Sequence, residues 1–94
     1  MRVVSKKPLR EFWGRHADAE NPLKTWYAVA KRARWSKLIE VQQTYAGAEA
    51  VGRCTVFNIK GNSYRLIAII EYRLQIIFIR EVLTHAEYDK DRWK

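Results

Sequence analysis

His85 and Tyr88 stand three residues apart in the block Arg80-Glu81-Val82-Leu83-Thr84-His85-Ala86-Glu87-Tyr88-Asp89. Ahead of them, Val56-Phe57-Asn58-Ile59 runs into a Lys60-Gly61-Asn62 turn and leaves as Ser63-Tyr64-Arg65-Leu66-Ile67. A hairpin lined with cations is therefore followed by a helix start that carries an imidazole and a phenol. Arg65 comes just after the turn, and a guanidinium binds phosphate through two parallel hydrogen bonds. Histidine side chains titrate at about pH 6.5, which suits general acid or base work. At the first turn of a helix the dipole disfavours a charged imidazole, whereas a bound phosphate favours it. Tyr88 shares the helix face of His85 and can stack on a base or position a proton. These groups suit a site that holds a phosphate and moves a proton.

Each residue also has a plainer reading. Arg65 can be a solvated arginine at an exposed strand end. Arg80 closes the apolar run Ile76-Ile77-Phe78-Ile79, which marks either a strand leaving the core or a functional cation. Beside Glu81 it can equally be a local ion pair, worth little when exposed. His85 can be a structural residue at the helix start, Tyr88 can pack a terminal helix, and Lys60 can be a solvated turn lysine. His16, on the apolar side of the first helical pattern, reads as packing.

The elements that position these groups follow from periodicity. Met1–Val4 reads as a short opening strand. Ser5 is a cap candidate, with Pro8 tolerated in a first helical turn. Leu9, Phe12, Trp13 and His16 repeat at the spacing of one helical face. Asn21-Pro22 gives a second start signal, followed by Leu23, Trp26, Tyr27, Ala30 and Ala33 at the same spacing. Residues 35–50 read as a connector with one short helix. From Gly52 the period changes. Arg53–Ile59, Ser63–Glu71 and Gln75–Leu83 read as strands, joined at Gly61-Asn62 and at Tyr72-Arg73-Leu74. Thr84-His85-Ala86-Glu87 has the capping-box pattern and predicts a helix running to about Arg92. The expected fold class is α+β: an antiparallel sheet with a helical hairpin packed on one face and a short C-terminal helix.

Composition bounds the function. The 94 residues make one small domain, 1–94, and 48% are hydrophobic, enough to fill a core without disulfides. Lys and Arg number 18 against 10 acids, a net charge of +8. Such a bias favours nucleic acid, an anionic membrane or an acidic protein partner. Membrane is the weakest of these, because the apolar stretches are broken by Glu71 and Arg73 and the start of the chain lacks the apolar segment of a signal peptide. The single cysteine, Cys54, fits a reducing cytoplasm. One cysteine and two separated histidines make no structural zinc site, and no carboxylates are spaced convincingly for another metal, so no cofactor is expected.

The segment from Val56 to Ile67, together with Thr84-His85-Ala86-Glu87-Tyr88-Asp89, resembles the HigB branch of the RelE-like toxins. Leu9-Arg10-Glu11-Phe12-Trp13 and Trp26-Tyr27 fit that branch as well, so the resemblance covers nearly the whole chain. It implies a compact α+β toxin of a type II toxin–antitoxin system that cuts mRNA without a metal, commonly on the ribosome. It also implies a cognate helix-turn-helix antitoxin (HigA-like) that holds the toxin inactive. Metal-free RNA cleavage uses the neighbouring 2′-OH as nucleophile. It needs a base for that hydroxyl, an acid for the 5′-oxygen and cations for the crowded phosphate. On that reading Arg65 and Arg80 stabilise the phosphate, His85 moves protons and Tyr88 orients or stacks. Lys60, Asn62 and Arg73 bind the RNA backbone. No carboxylate in the sequence has an obvious base role. The alternative is a basic module without catalysis, binding either RNA or an acidic protein.

Overall fold

A computed structural model describes all residues, 1–94. The strands are β1 (Arg2–Val4), β2 (Glu49–Val51), β3 (Cys54–Ile59), β4 (Tyr64–Glu71) and β5 (Ile76–Thr84). The helices are α1 (Lys7–Arg15), α2 (Glu20–Arg32), α3 (Leu38–Thr44) and α4 (His85–Asp89), with a 3-10 turn at Ala17–Ala19. The strands form one sheet in the order β1-β5-β4-β3-β2. The meander β3-β4-β5 is antiparallel as expected, and β2, in a segment read as connector, extends it antiparallel to β3. The opening strand departs from that expectation: β1 lies parallel to β5, pairing Arg2 with Ile76 and Val4 with Phe78. β4, antiparallel to β5, returns the chain to the end at which β1 begins, so that β5 can run parallel to β1.

Alternation along β3 and β4 divides the sheet into two faces. Phe57, Ile59, Leu66 and Ala68 join Leu9 and Phe12 of α1, Leu23 and Trp26 of α2 and Val41 of α3 in the main core. Trp26 meets Phe57 edge-on, at 5.3 Å between ring centres. Trp13 and Tyr27, which share the apolar helical spacing, are only half-buried and pack at its margin. The opposite face has a small cluster of its own, Cys54, Val56, Ile67 and Trp93, with Leu83 and Tyr88 at its border. Here the cover is the C-terminal segment alone.

The register of β5 is broken once. Ile67 opposes Glu81 and Ala68 opposes Ile79, so Arg80 is an extra, unopposed residue. A bulge of this kind resets which side chains face inward. Ile77 and Ile79 face the helical core before it, and Val82 faces it after, an odd step that strict alternation forbids.

Local signals set several boundaries. Pro8 sits in the first turn of α1. That helix begins at Lys7 without a side-chain cap, so Ser5 does not cap it. The second helix begins at Glu20, just ahead of Asn21-Pro22. The last helix ends at Asp89 rather than near Arg92. Gly61 takes φ +63°, the left-handed conformation that a tight turn asks of glycine. No helix is long and apolar enough to cross a membrane.

Candidate active site

The turn between β3 and β4 organises one end of the open face. Ile59 pairs with Tyr64, and the Ser63 amide donates to the Lys60 carbonyl at 3.1 Å, closing the turn. Two other carbonyls of this turn hold the candidate residues. The Asn62 carbonyl accepts from Arg65 at 3.0 Å, and Arg65 also donates to the Tyr64 carbonyl at 3.2 Å. The Ser63 carbonyl accepts from the His85 amide at 3.0 Å. Four residues of turn therefore fix both the guanidinium and the first residue of α4.

The helix that carries His85 is built by the capping box seen in the sequence. The Glu87 amide donates to Thr84 Oγ1 at 3.2 Å, and the Thr84 amide donates to Glu87 Oε1 at 2.9 Å. That backbone N–H holds the Glu87 carboxyl below the usual range. One helical turn after His85, the Asp89 carboxylate lies 3.1 Å from its Nδ1. A carboxylate at Nδ1 orients the ring and directs Nε2 outward. Sequence reading found no carboxylate with a clear role. Asp89 is the carboxylate the structure places against His85, and its i,i+4 spacing was the available signal.

Tyr88 is occupied on several sides. The Arg65 guanidinium lies over its ring, 5.4 Å from the centre, and Trp93 stacks on it at 5.0 Å and 17°. Its hydroxyl donates to Glu49 Oε1 at 3.3 Å. Burial, then the Glu49 charge, push its pKa up. In this arrangement the ring serves to hold Arg65 rather than to offer a free stacking surface. Trp93 is 6% exposed and its indole N–H donates to the Tyr88 carbonyl at 3.0 Å.

The other candidates are not all gathered here. Asn62 is exposed at the turn beside Arg65. Arg80 is on the same face but further along β5, its guanidinium 3.6 Å from Cys54 Sγ on β3. Lys60 points to the helical side, where its Nζ lies 2.6 Å from Asp18 Oδ2. Tyr64 donates its hydroxyl to the same carboxylate. These two hydrogen bonds, Lys60 first, hold the Asp18 carboxyl below the usual range, and the Asp18 bond pushes the Tyr64 phenol up. Arg73 lies in the β4–β5 turn, at the opposite end of an eight-residue strand, roughly 25 Å from Arg65 at 3.3 Å per residue. The structure does not bring Arg73 to the site. His16 stacks on Phe12 at 4.4 Å, the packing role expected of it. No group of three or more His, Cys, Asp or Glu side chains is placed to hold a metal ion.

A guanidinium anchored at a turn, beside an imidazole oriented by a carboxylate, can bind a phosphate and exchange a proton with a group next to it. Comparison with known proteins points the same way. The chain is 27% identical to the mRNA interferase HigB of Escherichia coli O6:H1 (strain CFT073) over 93 residues, which is 96% of this chain and 90% of that protein. It is 50% identical to the mRNA interferase toxin HigB of Escherichia coli K12 over 34 residues, 36% of this chain and 33% of that one. The HigB of Shigella flexneri matches to the same extent. Residues 19–91 match the family described as HigB toxin, RelE-like toxic component of a toxin-antitoxin system. The chain belongs to the HigB toxin family.

Proposed function

We propose that this toxin is a metal-independent endoribonuclease that cleaves mRNA on the translating ribosome, in the cytoplasm. The whole chain, 1–94, acts as one toxin domain, and a HigA-like helix-turn-helix antitoxin keeps it inactive. The observation that carries the reading is the pairing of His85 with Asp89 at 3.1 Å beside the turn that anchors Arg65. In the reaction the 2′-oxygen attacks the adjacent phosphorus and the bond to the 5′-oxygen breaks. The products are a 2′,3′-cyclic phosphate and a free 5′-hydroxyl. His85 Nε2 exchanges the proton, Arg65 takes the charge that builds on the phosphate, and Tyr88 keeps Arg65 in place. DNA, lacking the 2′-OH, is not cut.

The test is inducible expression in a bacterial host, wild type beside His85→Ala, with growth and the ends of a reporter mRNA followed. Growth arrest with new ends on translated mRNA, lost in the variant, is the expected result. Normal growth with intact mRNA from soluble wild-type protein would overturn the reading in favour of a binding module.

A further inference from the structure

The open face has a second concave feature, away from the hairpin turn. A cleft of about 290 Å³ has Val51 and Cys54 as its floor and Trp93 as one wall, with Arg53, Arg80 and Lys94 around it. No carboxylate lines it. Arg53 and Arg80 take part in no ion pair, and Lys94 pairs only with exposed Asp91, at 3.3 Å. Such an exposed pair is weak and easily exchanged for another anion. The contact of Arg80 with Cys54 Sγ draws its guanidinium across the sheet, over the floor of the cleft. An apolar floor ringed by cations fits a nucleotide: base and sugar lie on the carbon surface while the phosphate meets the charges.

The cleft is in line with the hairpin turn. Thr55, next to Cys54, pairs with Ala68, three residues along β4 from Arg65. The two places are therefore separated by roughly 10 Å or somewhat more, at 3.3 Å per residue. A single strand held at Arg65 reaches the cleft within a few nucleotides. The helical face is closed by α1, α2 and α3, and on the other face Trp93 and Tyr88 cover Val56 and Ile67 between the two places, so the strand would pass over this C-terminal cover. We propose that the Arg53–Arg80–Lys94 cleft is a second RNA subsite, taking a phosphate and base of the same strand a few nucleotides from the bond that is cut. It rests on the endoribonuclease reading and supplies affinity and register rather than chemistry.

The test is equilibrium binding of an unstructured oligoribonucleotide to purified protein over a range of salt concentrations. Wild type is compared with Arg53→Ala/Lys94→Ala and with Lys7→Ala/Arg10→Ala, a charge-matched control on α1. Removing the contact to one phosphate of a single strand should flatten the slope of log affinity against log salt by up to about 0.7, and the control should move it far less. A dinucleotide long enough only for the hairpin site should bind wild type and the cleft variant alike. Equal slopes for the two double variants would overturn the proposal. So would polyglutamate binding the cleft as tightly as RNA, which would assign it to an acidic protein. Binding is read without cleavage, so a wild type that binds through the cleft yet cuts no mRNA would sink the nuclease reading while leaving the subsite in place.

Discussion

Asp18 and Lys60 are 42 residues apart in the chain and joined by a 2.6 Å ion pair. Asp18 and its two partners, Lys60 and Tyr64, are on the helical side of the sheet, and Arg65 and Tyr88 are on the other. Lys60 opens the turn whose later carbonyls hold Arg65 and His85, and Tyr64 immediately precedes Arg65. The carboxylate is a latch between the 3-10 turn at Ala17–Ala19 and the β3–β4 turn. Asp18→Asn should lower mRNA cleavage about tenfold to a hundredfold, the scale of a small misplacement of reacting groups. A folded variant is expected, because Asp18 is exposed. Cleavage kinetics beside a thermal melt check this, and unchanged kinetics would remove the latch from the mechanism.

The same latch makes stability sensitive to acid. The Asp18 carboxyl is held below its ordinary value by Lys60 and then Tyr64, and those of Glu87 and Glu40 by the backbone amides of Thr84 and Ser36. A carboxyl whose folded pKa is lowered stabilises fully above its unfolded value, about 4, and loses that contribution as pH falls through the folded one. The urea midpoint should therefore be flat above about pH 5 in respect of these groups and fall on acidification below about pH 4. In Asp18→Asn the fall should be shallower. Parallel curves for the two proteins would show that Asp18 is not linked to folding.

Asp89 should matter to chemistry more than to folding. It is exposed, as is His85, so their pair adds little stability. Loss of a general acid–base group costs about 10²–10⁴ in rate, the range expected for His85→Ala. Asp89→Asn should cost less, since the amide oxygen can still accept from Nδ1. The informative comparison is Asp89→Ala in the His85→Ala background. No further loss there means the two residues act as a unit; a full additional loss means Asp89 works independently.

Thr84→Ala removes one half of the capping box at a cost of about 1 kcal/mol. The helix it starts has only five residues, too few to persist without its cap and its contacts. The global melt should shift by a few degrees while cleavage falls much further. Hydrogen exchange at the amides of α4 would report the local loosening directly. Activity that merely tracks the melt would point to a general loss of fold instead.

Features that rest on neighbours in the chain were legible in the sequence. The capping box at Thr84 and Glu87, the turn at Gly61, Pro8 in the first turn of α1 and the stripes of Leu9 and Phe12, and of Leu23 and Trp26, all came from local spacing. What stayed hidden depends on distant partners. The three residues of β2 have no strand signal of their own and exist through pairing with β3. The bulge at Arg80 arises from register against β4. Lys60 looked free because its partner lies 42 residues earlier. Arg73 was grouped with the site by charge. Its own place in the β4–β5 connection already put it at the other end from the Lys60 turn, since consecutive hairpin turns alternate ends. For Tyr88 the sequence left stacking, orienting and packing open, because spacing does not reveal that Arg65 and Trp93 occupy its ring.

The parallel pairing of β1 with β5 orders events in time. The first strand has no partner in the sheet until the last one has been made. Pairing the two ends of a chain is the slow, late kind of step in folding. On a ribosome producing this protein, β1 must wait for residues 76–78 to emerge before it can join the sheet. The segment that completes the sheet leads directly into His85 and Asp89. Completion of the sheet by β5 and placement of the residues at the start of α4 are therefore one step of folding, not two.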